Sequence, residues 1–144
     1  MPGLPPIEWR VHLTSAPEAV FEAWTTDRGR TRFWAEASRA TDGGFTLSFV
    51  NGRRLDVPIV ESAPPIRFAF RYFGGSAVRL DFASDGDGGC DLTLRETGVP
   101  EAEHVDNYAG WVSVLLTLKA ALDFAVDLRG HDGSRSWEQR YVDN

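Results

Sequence analysis

Apolar and polar positions alternate with period two near the start of the chain. In "IEWRVHL" (7–13), Ile7, Trp9, Val11 and Leu13 oppose Glu8, Arg10 and His12, the pattern of a half-buried strand with His12 on its solvated side. The period then changes. In "TSAPEAVFEAW", Ser15 is a suitable N-cap, Pro17 fits the first turn and Glu18 complements the helix dipole. Val20, Phe21 and Trp24 share one face, so a short helix is predicted. A second helical or turn-rich stretch, "DRGRTRFWAE", has Asp27 as candidate cap and ends on the apolar pair Phe33 and Trp34.

Strands follow. "GGFTLSFVNG" places Phe45, Leu47 and Phe49 on one face, and "RRLDVPIVES" is weaker, with Pro58 predicting an edge or a bulge. "PPIRFAFRYFGG" turns Ile66, Phe68, Phe70 and Tyr72 inward. "AVRLDFASDGDGG" does the same for Val78, Leu80 and Phe82, and "CDLTLRETG" for Cys90, Leu92, Leu94 and Glu96. Short turn-rich links predict an antiparallel meander. The last long pattern is helical. Pro100, Glu101 and Glu103 suit a helix start, and Arg129 followed by Gly130 suits a stop, which predicts one helix over 102–129. Tyr108, Val112, Leu115, Leu118, Leu122 and Val126 form its stripe, widened by Trp111, Leu116 and Phe124. Gly110 is expected to let Trp111 pack closely on the first helices.

This order of elements predicts an α+β fold. A curved antiparallel sheet of six or seven strands is covered by two short N-terminal helices and gripped by a long C-terminal one. Residues 1–130 read as one domain. Residues 131–144 read as a tail, and its Trp137 and Tyr141 predict that it packs back on the domain or on a second copy. Strongly curved sheets closed by one helix often keep an apolar hollow.

The 144 residues include five Trp, nine Phe and three Tyr, enough aromatic surface to fill a core or to line a pocket. A net charge of −6 with scattered basic residues disfavours nucleic acid. No apolar run reaches the ~20 residues of a membrane span and no signal-peptide pattern opens the chain, so a cytoplasmic location is expected, in keeping with a single cysteine, Cys90.

Two stretches carry a family resemblance. "SAPEAVFEAWTT" (15–26) and "GWVSVLLTLKAALD" (110–123), the latter preceded by "LTLRETGVPE", resemble the signatures of the Aha-type branch of the START-like (Bet v-type, SRPBCC) superfamily. That branch holds the homologues of a heat-shock-protein ATPase activator. The resemblance runs over roughly residues 7 to 128. It implies a helix-grip fold with a hydrophobic cavity between sheet and long helix; relatives bind lipids, sterols, polyketides or hormones, and some are cyclases. The eukaryotic activator has an additional chaperone-binding domain for which this chain has no room, so chaperone contact does not carry over directly.

The leading expectation is a binder of a small hydrophobic molecule (a lipid, sterol, polyketide or aromatic compound). The wall is expected to comprise Phe33, Trp34, Phe49, Phe68, Phe70, Leu80, Phe82, Tyr108, Val112 and Leu115. A cyclase- or hydrolase-type enzyme is an alternative, with Glu96 and His104 as weak candidates for acid and base, set against the bland reading that Glu96 ends its strand in solvent and His104 is a surface residue. An interaction module, a co-chaperone-like protein or a homodimer completes the field. No cofactor is expected. No metal site is expected either, because His12, His104 and His131 are far apart and no HxxxH or CxxC occurs. Cys90 reads as a buried inert thiol.

Overall fold

The computed structural model describes residues 4–144. Strand β1 (Ile7–Leu13) leads into helices α1 (Pro17–Thr25) and α2 (Asp27–Thr31). Strands β2 (Ala37–Thr41), β3 (Gly44–Ser48), β4 (Arg54–Ala63), β5 (Arg67–Arg71), β6 (Ala77–Ser84) and β7 (Cys90–Thr97) follow, then helix α3 (His104–Phe124). All seven strands form one antiparallel sheet in the order β1-β7-β6-β5-β4-β3-β2. The meander therefore runs from β2 to β7, and β1 joins its far edge by pairing Ile7 to Leu13 with Glu96 to Cys90. The fold is α+β, with two short helices and one long helix on the sheet.

Strand β2 has no counterpart in the hydrophobic pattern. "ASRAT" is an edge strand and mostly exposed, so nothing imposes alternation on it. Pro58 marks no sheet edge, since β4 is paired on both sides. The strand pairs with β3 as far as Pro58 and with β5 from Ile59 onward, with a register shift between Ile59 and Glu61. The proline thus sits where one partner ends and the other begins, and the missing N–H costs no ladder bond. Ile66 precedes β5 and is exposed rather than inward.

The caps differ from the sequence reading in an instructive way. Ala16, not Ser15, is the N-cap of α1, and Thr26, not Asp27, caps α2 by accepting from the N–H of Gly29. Ser15 is used elsewhere. Its N–H and hydroxyl donate to Asp123 Oδ1 at 3.2 and 2.9 Å, while the N–H of Thr14 donates to Oδ2 at 2.9 Å. Lys119 donates to the same carboxylate at 3.2 Å. One acidic side chain near the end of α3 therefore fixes the turn from β1 into α1. Asp27 likewise turns toward Arg30, Ser38 and the N–H of Ala40, tying α2 to β2. His12 is half exposed and pairs with Asp85 in the β6–β7 turn at 2.7 Å.

Helix α3 is shorter than the 102–129 expected. Ala102 lies in a 3-10 turn, Glu101–Glu103, and the helix ends at Phe124 because Ala125 takes a left-handed conformation (φ 54°). The chain leaves there to place Arg129 against α2. Its guanidinium donates to the carbonyls of Thr31 (2.7 Å) and Ala35 (3.0 Å), supplying partners for the open C-terminal end of that helix. Val126 is exposed and outside the helix, so the stripe facing the sheet consists of Trp111, Leu115, Leu118 and Ala121.

Burial works against the charge of Asp123, but the donors from Thr14, Ser15 and Lys119 outweigh it and hold the carboxyl below its usual range. Asp123→Ala strands the exposed N–H of Thr14 and the part-buried N–H and hydroxyl of Ser15, and is expected to lower the unfolding free energy in urea by about 1–3 kcal/mol at neutral pH. Because the folded carboxyl is the stronger acid, the difference between wild type and variant shrinks as pH falls below the ordinary aspartate range. A variant as stable as wild type would show that this clamp does not hold α1.

Candidate functional site

The concave face of the sheet is filled at one end and hollow at the other. Phe21 of α1 packs edge-on against Phe68 and Phe82, with ring centroids 6.1 and 5.2 Å apart, and Phe68 contacts Phe45 and Phe70. Phe68, Phe70, Leu80 and Phe82 are accordingly buried in the core and are not among the residues that line the cavity described next. Leu115 joins the same core, while Val112 is half-buried and about 200° around the helix from Gly110. Tyr108 faces the sheet edge, where its ring lies 4.8 Å from that of Trp9 and its carbonyl accepts from the Trp9 indole.

A cavity of about 450 Å³ opens on the other flank of α3. Phe33, Trp34 and Phe49 line it, joined by Tyr72, Phe73, Trp111 and Trp137. The helix contributes Gly110, Ser113, Val114 and Thr117, a row of small side chains at three- and four-residue spacing. Gly110 does not serve close packing: a Cβ built there meets nothing within 4 Å, so the glycine leaves space. Arg53, Glu103, Asp106 and Arg140 form a charged, exposed rim, and Tyr141 and Val142, themselves exposed, line the outer side.

Hydrogen bonds fix the aromatic wall. Trp34 Nε1 donates to the Tyr72 hydroxyl at 3.1 Å, and burial pushes the Tyr72 phenol well above its usual range, so it stays neutral. Its own proton has no acceptor among the described residues and is free for an oxygen in the cavity. Trp111 lies 4.9 Å from Tyr72 and 6.2 Å from Trp34, centroid to centroid, and its Nε1 donates to Glu96 at 2.8 Å.

Glu96 does not end its strand in solvent; it is fully buried. It accepts from the Ser76 hydroxyl at 2.6 Å, and the Asn107 amide stands at 3.4 Å from both carboxylate oxygens. No cation pairs with it among the described residues. His104 is elsewhere, with Nε2 at 3.0 Å from the Pro5 carbonyl. Glu96 and His104 are not hydrogen-bonded to each other, and neither lines the cavity. Cys90 is buried, which pushes its thiol up to about 11 and leaves it inert. No group of three or more potential ligands for a metal ion occurs among the described residues, and no described helix is long and apolar enough to cross a membrane.

The family model described as activator of Hsp90 ATPase homolog 1-like protein matches residues 14–123. The chain belongs to this family. No curated protein sequence matches it. Among solved structures, a Staphylococcus saprophyticus protein superposes with a TM-score of 0.76 at 24% identity, covering 87% of this chain and 96% of its own. The Aha1 dimer from Colwellia psychrerythraea gives 0.73 at 20% identity, with 84% and 98% covered. The AHSA1-like protein from Aeromonas hydrophila gives 0.71 at 23%, with 84% and 94% covered. At these identities the likeness is one of fold.

The sequence reading missed the small-residue flank of α3 because an apolar stripe is the louder signal. Gly110, Ser113 and Thr117 were visible only as interruptions of that stripe. Glu96→Ala removes the acceptor of a buried indole and is expected to cost about 2–4 kcal/mol in chemical denaturation, with a shifted tryptophan emission in the folded variant. Glu96→Gln, which keeps one acceptor oxygen, should retain more than half of the lost stability. Equal losses for both variants would mean that the charge, not the acceptor, holds Trp111.

Proposed function

We propose that this protein binds a small hydrophobic molecule in the cavity beside α3, in the class of lipids, sterols, polyketides and aromatic compounds. The observation that carries the reading is a hollow of about 450 Å³ walled by Phe33, Trp34, Phe49, Phe73, Trp111 and Trp137. Its volume falls within the range of sites for small ligands. The unpaired Tyr72 proton offers one polar contact at the wall, and the charged rim stays in water. A cytoplasmic location agrees with the lone reduced cysteine. Acid–base chemistry by Glu96 and His104 lacks support, since each is engaged elsewhere.

Native mass spectrometry before and after organic extraction tests this directly. The expected result is a bound mass that extraction removes, or uptake of a hydrophobic probe such as anilinonaphthalene sulfonate by the extracted protein. Gly110→Leu grows a side chain into open space and should reduce probe affinity about tenfold or more while the domain stays folded. Probe binding unchanged by Gly110→Leu would remove the cavity as the binding site.

A second reading, contact with another protein chain, draws on the outer face of α3. Val105, Leu116 and Phe124 recur on one side of the helix and are 75%, 52% and 68% exposed, an unusual apolar load for a solvent-facing stripe. The relative from Colwellia is a dimer, which favours a second copy as the occupant over a chaperone. On this reading sedimentation velocity finds a dimer for wild type and a monomer for Leu116→Glu. A wild-type monomer at high concentration would dispose of it.

A further inference from the structure

Residues 130–143 form a compact loop with a closed neck and a tip over the cavity. The N–H of Gly130 donates to the carbonyl of Asp143 at 2.6 Å, which joins the two ends. The tip carries a 3-10 turn, Trp137–Gln139, capped reciprocally by Ser136 and Gln139. Trp137 stands edge-on to Phe49 at 5.2 Å and, with Tyr141 and Val142, supplies the outer wall of the cavity. Gly133 passes so close to the chain that a Cβ there would lie 2.8 Å from the Val50 carbonyl.

The neck is held to the domain by one ionic node. His131 Nδ1 lies 2.5 Å from Glu36 Oε1, and Nε2 lies 2.7 Å from Asp127 Oδ2. Both partners are carboxylates and only accept, so an imidazole between them must carry a proton on each nitrogen. A neutral ring would turn one lone pair toward an oxygen at hydrogen-bond distance. The other charged group at the node is Arg129, whose Nε donates to Asp127 at 2.9 Å. Asp127 therefore keeps a cation when His131 loses its proton. Glu36 does not, as it has no other ion pair among the described residues. Among the described residues the loop's other ionic tie to the domain, Arg140 to Asp106 at 3.4 Å, is exposed on both sides and contributes little, and the pair Arg135–Asp132 lies within the loop itself.

We propose that residues 130–143 are a proton-latched lid: the His131 imidazolium, bridging Glu36 and Asp127, holds the loop shut over the cavity, and loss of that proton releases it. The cavity's role as a ligand site rests on the function proposed above; the latch itself does not. The hydrogen bond to Asp127 and then that to Glu36 hold His131 above the ordinary histidine range, against a smaller opposing effect of burial. The sign follows. A raised folded value means that the latch is fully closed below about pH 6.5 and weakens as pH rises through the higher value of the folded state.

Two measurements on the full chain test the proposal. In amide exchange by mass spectrometry, wild type and His131→Arg are compared at the same pH, so that the intrinsic chemistry cancels. Arginine stays charged and can donate to both carboxylates. Exchange of residues 131–144 should match at about pH 6, and wild type should exchange roughly 2- to 10-fold faster at about pH 9, the range set by two partly exposed ion pairs. His131→Gln should exchange fast at both. Equal wild-type and arginine-variant rates at both pH values would overturn the latch. The dissociation rate of anilinonaphthalene sulfonate, which is charged throughout this range, is then read at both pH values. A rate rising with pH in wild type alone supports the lid as the gate of the cavity. A latch that opens in exchange while the dissociation rate stays constant refutes the gate. A latch that opens in a protein that takes up no probe keeps the latch and removes the ligand reading.

Discussion

The structure around the cavity depends on one buried carboxylate. Glu96 sits on β7 opposite Ile7 of β1 and Val78 of β6, in the body of the sheet, and its oxygens receive the indole N–H of Trp111. A carboxyl group is costly to bury without partners, and here hydrogen-bond donors offset that cost. Ser76 and Trp111 supply close donors, with Asn107 at longer range. Two of the three lie on α3, so the helix is bonded to the sheet at a defined point and in a defined rotation. An apolar contact at the same place would permit the helix to slide or turn. With Trp111 fixed, Tyr72 and Trp34 have a surface to pack against, and the far side of those rings becomes the wall of the hollow.

The hollow exists because the fold is gripped unevenly. Large side chains of α1 and the central strands meet at one end, where Phe21 enters between Phe68 and Phe82. At the other end α3 presents glycine, serine and threonine, whose side chains cannot reach across. Glycine inside a helix sacrifices about 1 kcal/mol against alanine. Gly110 gives up that stability with no backbone near enough to require it, and what it leaves is volume.

Most of the fold was legible because its signals are local. Period-two runs gave six strands, and the helical runs gave three helices, since burial of one face imposes those periods on the chain. Strand β2 was silent for the complementary reason: an exposed edge has no buried face to write a pattern. The end of α3 was misread because Arg129 and Gly130 are good local stop signals, whereas the actual stop is imposed by a distant contact, the capture of Arg129 by the carbonyls of Thr31 and Ala35. The site was harder to read. Phe33, Trp34 and Phe49 stood out as bulky residues at element ends, but bulk alone does not separate a wall from a filling. Phe68 and Phe82 look the same in sequence and differ only in that Phe21 covers them. Glu96 had the parity of a buried residue, and the prior against buried acids outweighed that parity until its three donors were placed beside it.

The match to the family ends at residue 123, and the loop that closes the cavity begins after it. The parts of this protein therefore divide by what determines them. Strands β2 to β7, the first helices and nearly all of α3 lie within the matched segment, as do Trp111 and Glu96, whose bond sets the inner wall. Trp137, Tyr141 and Val142 lie outside the matched segment, and they line the outer wall of the cavity. A property that depended only on the shared part would survive replacement of the tail. One that depended on closure would not, and closure here passes through three side chains, Glu36, Asp127 and His131, of which two follow the matched segment and one precedes β2. Beyond the segment matched to the family lies a second wall, and the physical chemistry of its attachment is that of a histidine held between two acids.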